Sequence, residues 1–72
     1  MDESETVELG RLLNKKVTVQ VKGDRTLCGT LKQHDSYMNL LLENAEEREG
    51  DKVVAKHKVM LVKGGNVKAV TT

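Results

Sequence analysis

The residues best suited to bind a ligand lie in two short runs beside strand-like segments. The first run is Asp-Ser-Tyr-Met-Asn at residues 35–39, and the second is Lys-Gly-Gly-Asn at residues 63–66. An Asn side chain offers a donor and an acceptor, and a Tyr ring offers a face on which a base can stack. Both runs fall where a β-protein bends, and binding residues are often displayed there. Together they predict a base-binding pocket on a small β-barrel, and therefore RNA as the ligand.

Catalytic and metal-binding patterns are not evident in the sequence. It contains no nucleophile–base pair, no paired acid/base carboxylates and no phosphate-cradling glycine-rich loop. Cys28 is the single cysteine, so it can form no disulfide within the chain. His34 and His57 are isolated and do not supply paired metal-ligand spacing. We therefore expect a protein that is not an enzyme and holds no cofactor and no metal.

The chain carries little net charge, but its charges are segregated. The formal net charge is +1, while residues 1–8 and 43–51 are strongly acidic and most Lys and Arg lie elsewhere. A protein with segregated charges can bind an anion at a locally basic surface even though its net charge is close to zero. No apolar run is long enough to span a membrane, and no signal peptide precedes the acidic start. We expect a soluble, cytoplasmic protein with no membrane partner and with Cys28 reduced.

Hydrophobic periodicity predicts a mostly β protein with one short helix at its start. Val17, Val19 and Val21 alternate with polar residues, as in a half-buried strand. The predicted elements are a helix over residues 6–13 and strands over 17–22, 26–34, 38–45, 52–62 and 67–71, with a charged loop over 46–51. The links are too short for crossover helices, so the sheet is antiparallel. Gly29 suggests a sharp bend, and five bent strands form a small, partly open barrel.

A chain of 72 residues forms one domain, over residues 1–72, with a thin core. It buries only about 60% of the surface that its unfolded form exposes. Small domains usually need a disulfide, a metal or self-association for stability. Because the first two are not supported, oligomerisation is the expected source of additional stability.

With these elements and residues, the sequence resembles the Sm-like (Lsm) proteins, and it is most similar to the archaeal members of that family. The order of one helix and five strands agrees over nearly the whole chain. The first Sm motif is matched by Val17, Val19, Gly29, Leu31, Asp35, Met38, Asn39, Leu40 and Leu42, and the second by Leu61, Val62 and Gly64. The second motif departs from the family pattern at Lys63, where the family carries Arg.

The resemblance implies a ring in which the fourth strand of one subunit pairs with the fifth strand of the next. A heptamer is favoured, with a hexamer as the alternative, and a homo-oligomer suits this short chain. The family binds single-stranded, uridine-rich RNA around the inner rim of the pore, one base per subunit. The implied partners are therefore this RNA, further copies of the chain and RNA-processing proteins.

The resemblance also assigns roles to the two runs. Asn39 would read the base edge and Tyr37 would stack on the base. Asp35 would support Asn39 or the loop backbone, and Gly64 would provide a tight turn close to the ligand. Lys63 would keep the positive charge of the family's Arg without its planar guanidinium, which predicts weaker stacking.

Two functions remain open on these grounds. The first is an RNA chaperone or scaffold in RNA processing or turnover. The alternative is a ring that holds partner proteins and whose RNA binding is weakened or lost, an interpretation favoured by Lys63, by Gly65 in place of a residue that is often polar, and by the low net charge.

Overall fold

A computed structural model of the protein describes residues 10–72, and this part of the chain is almost entirely β. The strands are β1 (Lys16–Val21), β2 (Arg25–His34), β3 (Leu40–Glu49), β4 (Lys52–Val62) and β5 (Val67–Thr71). A single 3₁₀ turn, Gly64–Asn66, joins β4 to β5. The strands form one antiparallel sheet in the order β4-β3-β2-β1-β5. The predicted mostly β, five-stranded antiparallel architecture is confirmed.

The first half of the predicted helix over residues 6–13 falls on residues 6–9, which lie outside the described residues. Gly10 and Arg11 are helical, and a turn follows. Asn14 ends this segment in the left-handed region with φ of 65°. Its N–H donates to the carbonyl of Leu31 at 2.6 Å, and the N–H of Leu31 donates to the carbonyl of Lys15 at 3.0 Å. The segment before β1 is thereby attached to the middle of β2.

The core is aliphatic, as the absence of Phe and Trp requires. Its buried members come from four strands and comprise Val17, Val19, Leu27, Leu31, Leu40, Leu42, Ala45 and Val62. In β1 and β2 the buried side chains alternate with more exposed ones, as the period of two predicts. Leu27, Gly29 and Leu31 share one face of β2, and all three are buried.

The sheet bends where β2 faces the middle of β3. A side chain at Gly29 would bring its Cβ within 3.0 Å of both the Ala45 Cα and the Glu43 carbonyl oxygen. The pairing of β2 with β3 shifts register at this point, between Cys28 and Thr30. On β3, Asn44 adopts a φ of 52°, and the buried positions pass from Leu42 to Ala45 instead of alternating. Gly29 thus permits the close approach of β3, which supports the bend expected from the sequence.

The predicted bounds of the third strand are wrong at both ends. Met38 precedes β3, which begins at Leu40, and the strand continues to Glu49 instead of ending at Ala45. The charged loop predicted over residues 46–51 is therefore wrong, and the connection to β4 is a tight turn at Gly50, with φ of 58°. The bounds of the other four strands differ from the predictions by one residue or less.

Ion pairs explain why an acidic segment continues as a strand. Glu47 is only 8% exposed and faces the same side as the core. Its carboxylate binds the Arg25 guanidinium and lies 3.2 Å from Nε2 of His57. Arg25 also contacts Glu49 at 3.3 Å. The Arg25 guanidinium on β2 compensates the buried charge and His57 on β4 contacts the same carboxylate. A count of acidic residues in sequence does not reveal these partners.

Candidate nucleic-acid interface

The loop between β2 and β3 is organised around the carboxylate of Asp35. Asp35 Oδ1 accepts hydrogen bonds from the backbone N–H groups of Tyr37, at 2.9 Å, and Asn39, at 3.0 Å. The N–H of Met38 donates to the Asp35 carbonyl at 3.1 Å, and Met38 takes a φ of 62°. An Asp that accepts from the backbone two residues later is a common device for closing a turn. Here it places Tyr37 outward and Met38 against the core.

The side chain of Asn39 joins this loop to the end of β4. Its Nδ2 donates to Asp35 Oδ2 at 2.9 Å, and its Oδ1 accepts from the N–H of Gly64 at 2.8 Å. The pairing of β3 with β4 brings the two segments together, since Leu40 lies opposite Val62. One amide proton and one lone pair of Asn39 remain available, which is a donor and an acceptor in a fixed orientation.

Gly64 lies so close to this loop that no other residue fits its position. A Cβ at Gly64 would lie 1.7 Å from the Tyr37 carbonyl oxygen and 3.0 Å from the Met38 carbonyl carbon. A Cβ at the neighbouring Gly65 would meet nothing within 4 Å. Only the first of the two glycines is therefore required by packing.

Tyr37 and Lys63 extend from the two sides of this junction into solvent. Tyr37 is 79% exposed, which is unusual for the single aromatic side chain of a protein. Lys63 is exposed and directly precedes the 3₁₀ turn. The structure therefore joins Asp35 to Asn39 and Asn39 to Gly64 by hydrogen bonds. Tyr37 lies two positions along the chain from both Asp35 and Asn39, and Lys63 directly precedes Gly64.

The electrostatics of the loop favour an ionised Asp35. The hydrogen bond from the Asn39 side chain, followed by that from the Asn39 backbone, lowers the pKa of Asp35 below its ordinary value of 3.8. The N–H of Tyr37 and the nearby His34 act in the same direction. Asp35 is thus a charged acceptor at neutral pH and cannot donate a proton to a ligand.

A shallow cavity of about 170 Å³ beside the junction includes residues that the sequence analysis did not select. It is lined by Asp35 and Asn39 together with Gln33, His34, Leu40, Leu41 and Leu61. Leu41 and Leu61 are opposite each other on β3 and β4, and Leu61 is 77% exposed. Because side chains alternate along a strand, Leu41 lies on the face opposite to the buried Leu40. That alternation was the signal that could have identified the cavity wall.

No group of three or more His, Cys, Asp and Glu side chains that could hold a metal occurs within residues 10–72. In the same part of the chain, none of the helical segments has the length and apolar character needed to cross a membrane.

A bent, five-stranded antiparallel sheet with an Asp–Asn pair bound to a glycine turn defines the class of small Sm-type β-barrels. The chain belongs to the LSM domain family, whose pattern matches residues 7–72. It is 42% identical over 59 residues to an snRNP Sm-like protein of Methanosarcina acetivorans, with 82% of each chain covered. The resemblance inferred from the two motifs is thereby confirmed.

Solved structures support the same assignment. The Sm protein of Pyrococcus abyssi in complex with a uridine heptamer superimposes with a TM-score of 0.86 and 27% identity, covering 99% of this chain and 97% of that one. The SmAP1 heptamer of Pyrobaculum aerophilum gives a TM-score of 0.87 and 31% identity, with 99% and 95% covered.

Proposed function

We propose that this chain assembles into a ring that holds single-stranded, uridine-rich RNA at the inner rim of its pore. The junction of Asp35, Asn39 and Gly64 carries the proposal, because it fixes a free donor and acceptor on Asn39, two positions along the chain from the exposed ring of Tyr37. Asn39 reads the edge of the base, Tyr37 stacks on its face and Lys63 supplies positive charge. Base–aromatic stacking contributes about 1–3 kcal/mol per base.

Ring assembly is supported by the two edges of the sheet. β4 and β5 are the outer strands, and each has a partner on one side only within the subunit. The β4 edge carries the exposed apolar side chains Val53, Val54, Val59 and Leu61. An exposed apolar edge strand favours pairing with a strand of another chain. Pairing of β4 with β5 of the next subunit removes both free edges when the ring closes.

The assembly and ligand of the similar structures agree with this proposal. The P. aerophilum protein is a heptamer, and the P. abyssi protein was solved with a uridine heptamer. We therefore favour a homo-heptamer, with a hexamer as the alternative. Repetition of one weak site around a ring raises affinity through effective concentration. Such a ring acts by binding and not by catalysis. Its role is that of an RNA chaperone or scaffold that works with RNA-processing proteins. The cytoplasmic location of the protein stays a prediction.

The alternative function is a ring that holds partner proteins. It is favoured by Lys63, which keeps a charge but lacks the planar guanidinium that can stack on a base. In that case the junction of Asp35 and Asn39 stabilises the loop and does not read a base.

Binding to oligouridine and oligoadenosine of equal length separates these functions. The purified protein is titrated with each at several salt concentrations, and the mass of the assembly is measured in the same buffer. We expect a ring that prefers oligouridine, and we expect Asn39→Ala to lower that affinity while the ring persists. Gln20→Ala is the control, since it removes an exposed amide from β1. Equal binding with steep salt dependence would indicate phosphate contacts alone, and absence of binding would favour the protein scaffold.

A further inference from the structure

The proposed ring gives β4 a second partner along only part of its length. β4 contains 11 residues (Lys52–Val62), whereas β5 contains 5 (Val67–Thr71). In an antiparallel pair each residue of one strand lies opposite one residue of the other, so β5 of the next subunit covers about half of β4. The other half keeps a row of unpaired backbone N–H and C=O groups after the ring has closed.

The rotational symmetry of a closed ring decides which half of β4 is covered. All subunits lie at the same height along the ring axis and at the same distance from it. Within one subunit, the end of β4 at Val62 and the start of β5 at Val67 are joined by the short segment 63–66. The start of β5 in the next subunit therefore lies level with the end of β4, and antiparallel pairing runs back from there. The neighbour is expected over residues 58–62, which leaves residues 52–57 uncovered.

The exposed apolar side chains of β4 occur in both halves. Val59 and Leu61 lie in the half that the neighbouring β5 covers. Val53 and Val54 lie in the uncovered half and are exposed as well. Ring closure accounts for the first pair and not for the second, so a further partner is needed to bury Val53 and Val54.

The uncovered half of β4 is basic. Its titratable residues are Lys52, Lys56 and His57, and it contains no Asp or Glu. A second copy of the same segment is a poor partner, since an antiparallel pair centred on Val54 places Lys52 of each chain opposite Lys56 of the other. Like charges directly opposite each other destabilise a strand pair. The charge of this edge favours an acidic strand instead.

The neighbouring strand distinguishes an acidic peptide from a nucleic acid. Lys52 lies opposite Glu49 on β3, and Lys56 lies opposite Glu46. The local field is therefore mixed, and RNA, which carries a charge at every phosphate, gains little from it. An extended peptide gains main-chain hydrogen bonds along the edge and can place acidic side chains beside the two lysines alone.

We propose that residues 52–57 of β4 form a docking edge for an extended segment of a partner protein in which apolar residues alternate with acidic ones. The segment adds one strand to the sheet beside β4. Val53 and Val54 provide apolar contacts, and Lys52 and Lys56 select acidic side chains. This inference rests on the proposed ring and goes beyond its binding of RNA. Because the docking edge lies at the end of β4 remote from Gly64, RNA and peptide can occupy the same ring.

The experiment measures binding of a short fluorescent peptide, in which Val alternates with Glu, to the intact ring. Fluorescence anisotropy gives the affinity, and the mass of the assembly is verified with the peptide present. We expect saturable binding of one peptide per subunit without displacement by oligouridine. A peptide with Lys in place of Glu should bind about tenfold more weakly, because attractive cross-strand pairs become repulsive.

Substitutions in the two halves of β4 locate the binding site. Val53→Thr combined with Val54→Thr keeps β-branched side chains but reduces their apolar surface, so peptide affinity should fall about three- to tenfold. Val59→Thr makes the same change in the half that β5 covers and should leave peptide affinity unchanged. Lys52→Gln combined with Lys56→Gln should reduce the preference for the Glu peptide over the Lys peptide about two- to tenfold.

Amide hydrogen exchange tests the division of β4 directly. The peptide should slow exchange within residues 52–57 and leave residues 58–62 unchanged. Slowing within residues 58–62, or dissociation of the ring, would show that the peptide displaces β5 of the neighbour and would overturn the inference. Equal binding of both peptides or displacement by oligouridine would overturn it as well. Absence of binding would show that the lysines and the register shift beside Val54 only protect the edge.

The proposed function can stand when this inference fails. A ring that binds oligouridine but neither peptide keeps its RNA function and has no docking edge on β4. A protein that forms no ring overturns both proposals, whatever it does with the peptide, because the division of β4 depends on ring closure.

Discussion

Asn39 and Gly64 are separated by 25 positions in sequence, yet the side-chain oxygen of Asn39 accepts a hydrogen bond from the Gly64 N–H at 2.8 Å. This bond unites the loop after β2 with the turn after β4. Each of the two motifs supplies one half of this junction. The absence of a Cβ at Gly64 permits the contact.

The contrast between the adjacent glycines gives a direct test of this packing. Gly64→Ala forces a Cβ to within 1.7 Å of the Tyr37 carbonyl oxygen, so the loop has to move. We expect a loss of about 1–3 kcal/mol in the free energy of unfolding, typical of overpacking, and a loss of oligouridine binding. Gly65→Ala has open space around it and should change both properties little. Urea unfolding and binding titrations measure the two effects, and equal behaviour of the variants would contradict the packing argument.

Substitution of Lys63 by Arg tests whether affinity for oligouridine can be increased. Lys63→Arg introduces a planar guanidinium at the position from which the lysine supplies only a point charge. If the site binds uracil, affinity for oligouridine should increase about two- to fivefold per site, corresponding to a cation–π contribution of about 0.5–1 kcal/mol. Lys68→Arg on β5 is the matched control and should have no such effect. A lack of response at both positions would place Lys63 away from the base.

Acid stability should report the hydrogen bonds of Asp35. The pKa of this carboxyl is lowered in the folded state, so its contribution to stability is fully present above the ordinary value of 3.8. As the pH falls below that value, the unfolded chain takes up a proton first, and the contribution is lost as the pH passes the lower folded pKa. Urea unfolding between pH 5 and pH 2 should therefore show a smaller acid-induced loss for Asp35→Asn than for the wild type. Parallel curves for the two proteins would contradict the assignment.

Glu47 should be far more important for stability than its neighbour Glu49. Glu47 is 8% exposed and binds Arg25 and His57, whereas the Glu49 side chain is 53% exposed. We expect Glu47→Ala to lower the free energy of unfolding by about 1–3 kcal/mol, since it removes the buried acceptor that Arg25 and His57 share. Glu49→Ala should change it by less than about 1 kcal/mol, as for other exposed ion pairs. Urea denaturation of both variants decides the matter, and similar values for both would show that burial of Glu47 has no energetic consequence.

Several features of the fold could be predicted because they depend on neighbours in sequence. The alternation in β1 and the bend at Gly29 each follow from residue types over a few positions. The bounds of β3 could not be predicted in this way. A run of glutamates is typical of a solvated loop, and only the cross-strand partners Arg25 and His57 make it a strand here.

The candidate site also combines features that follow from sequence neighbours with features that depend on the folded sheet. Residue types alone specify which side chains are available: an acid, an aromatic ring, an amide, a cation and a glycine in two short runs. The contact of the Asn39 amide with Gly64, and the cavity wall formed by Leu41 and Leu61, could be seen only in the folded chain. Strand register is the cause of both. The pairing of Leu40 with Val62 sets where the two runs meet, and that pairing depends on the bend and the buried contacts of the whole sheet.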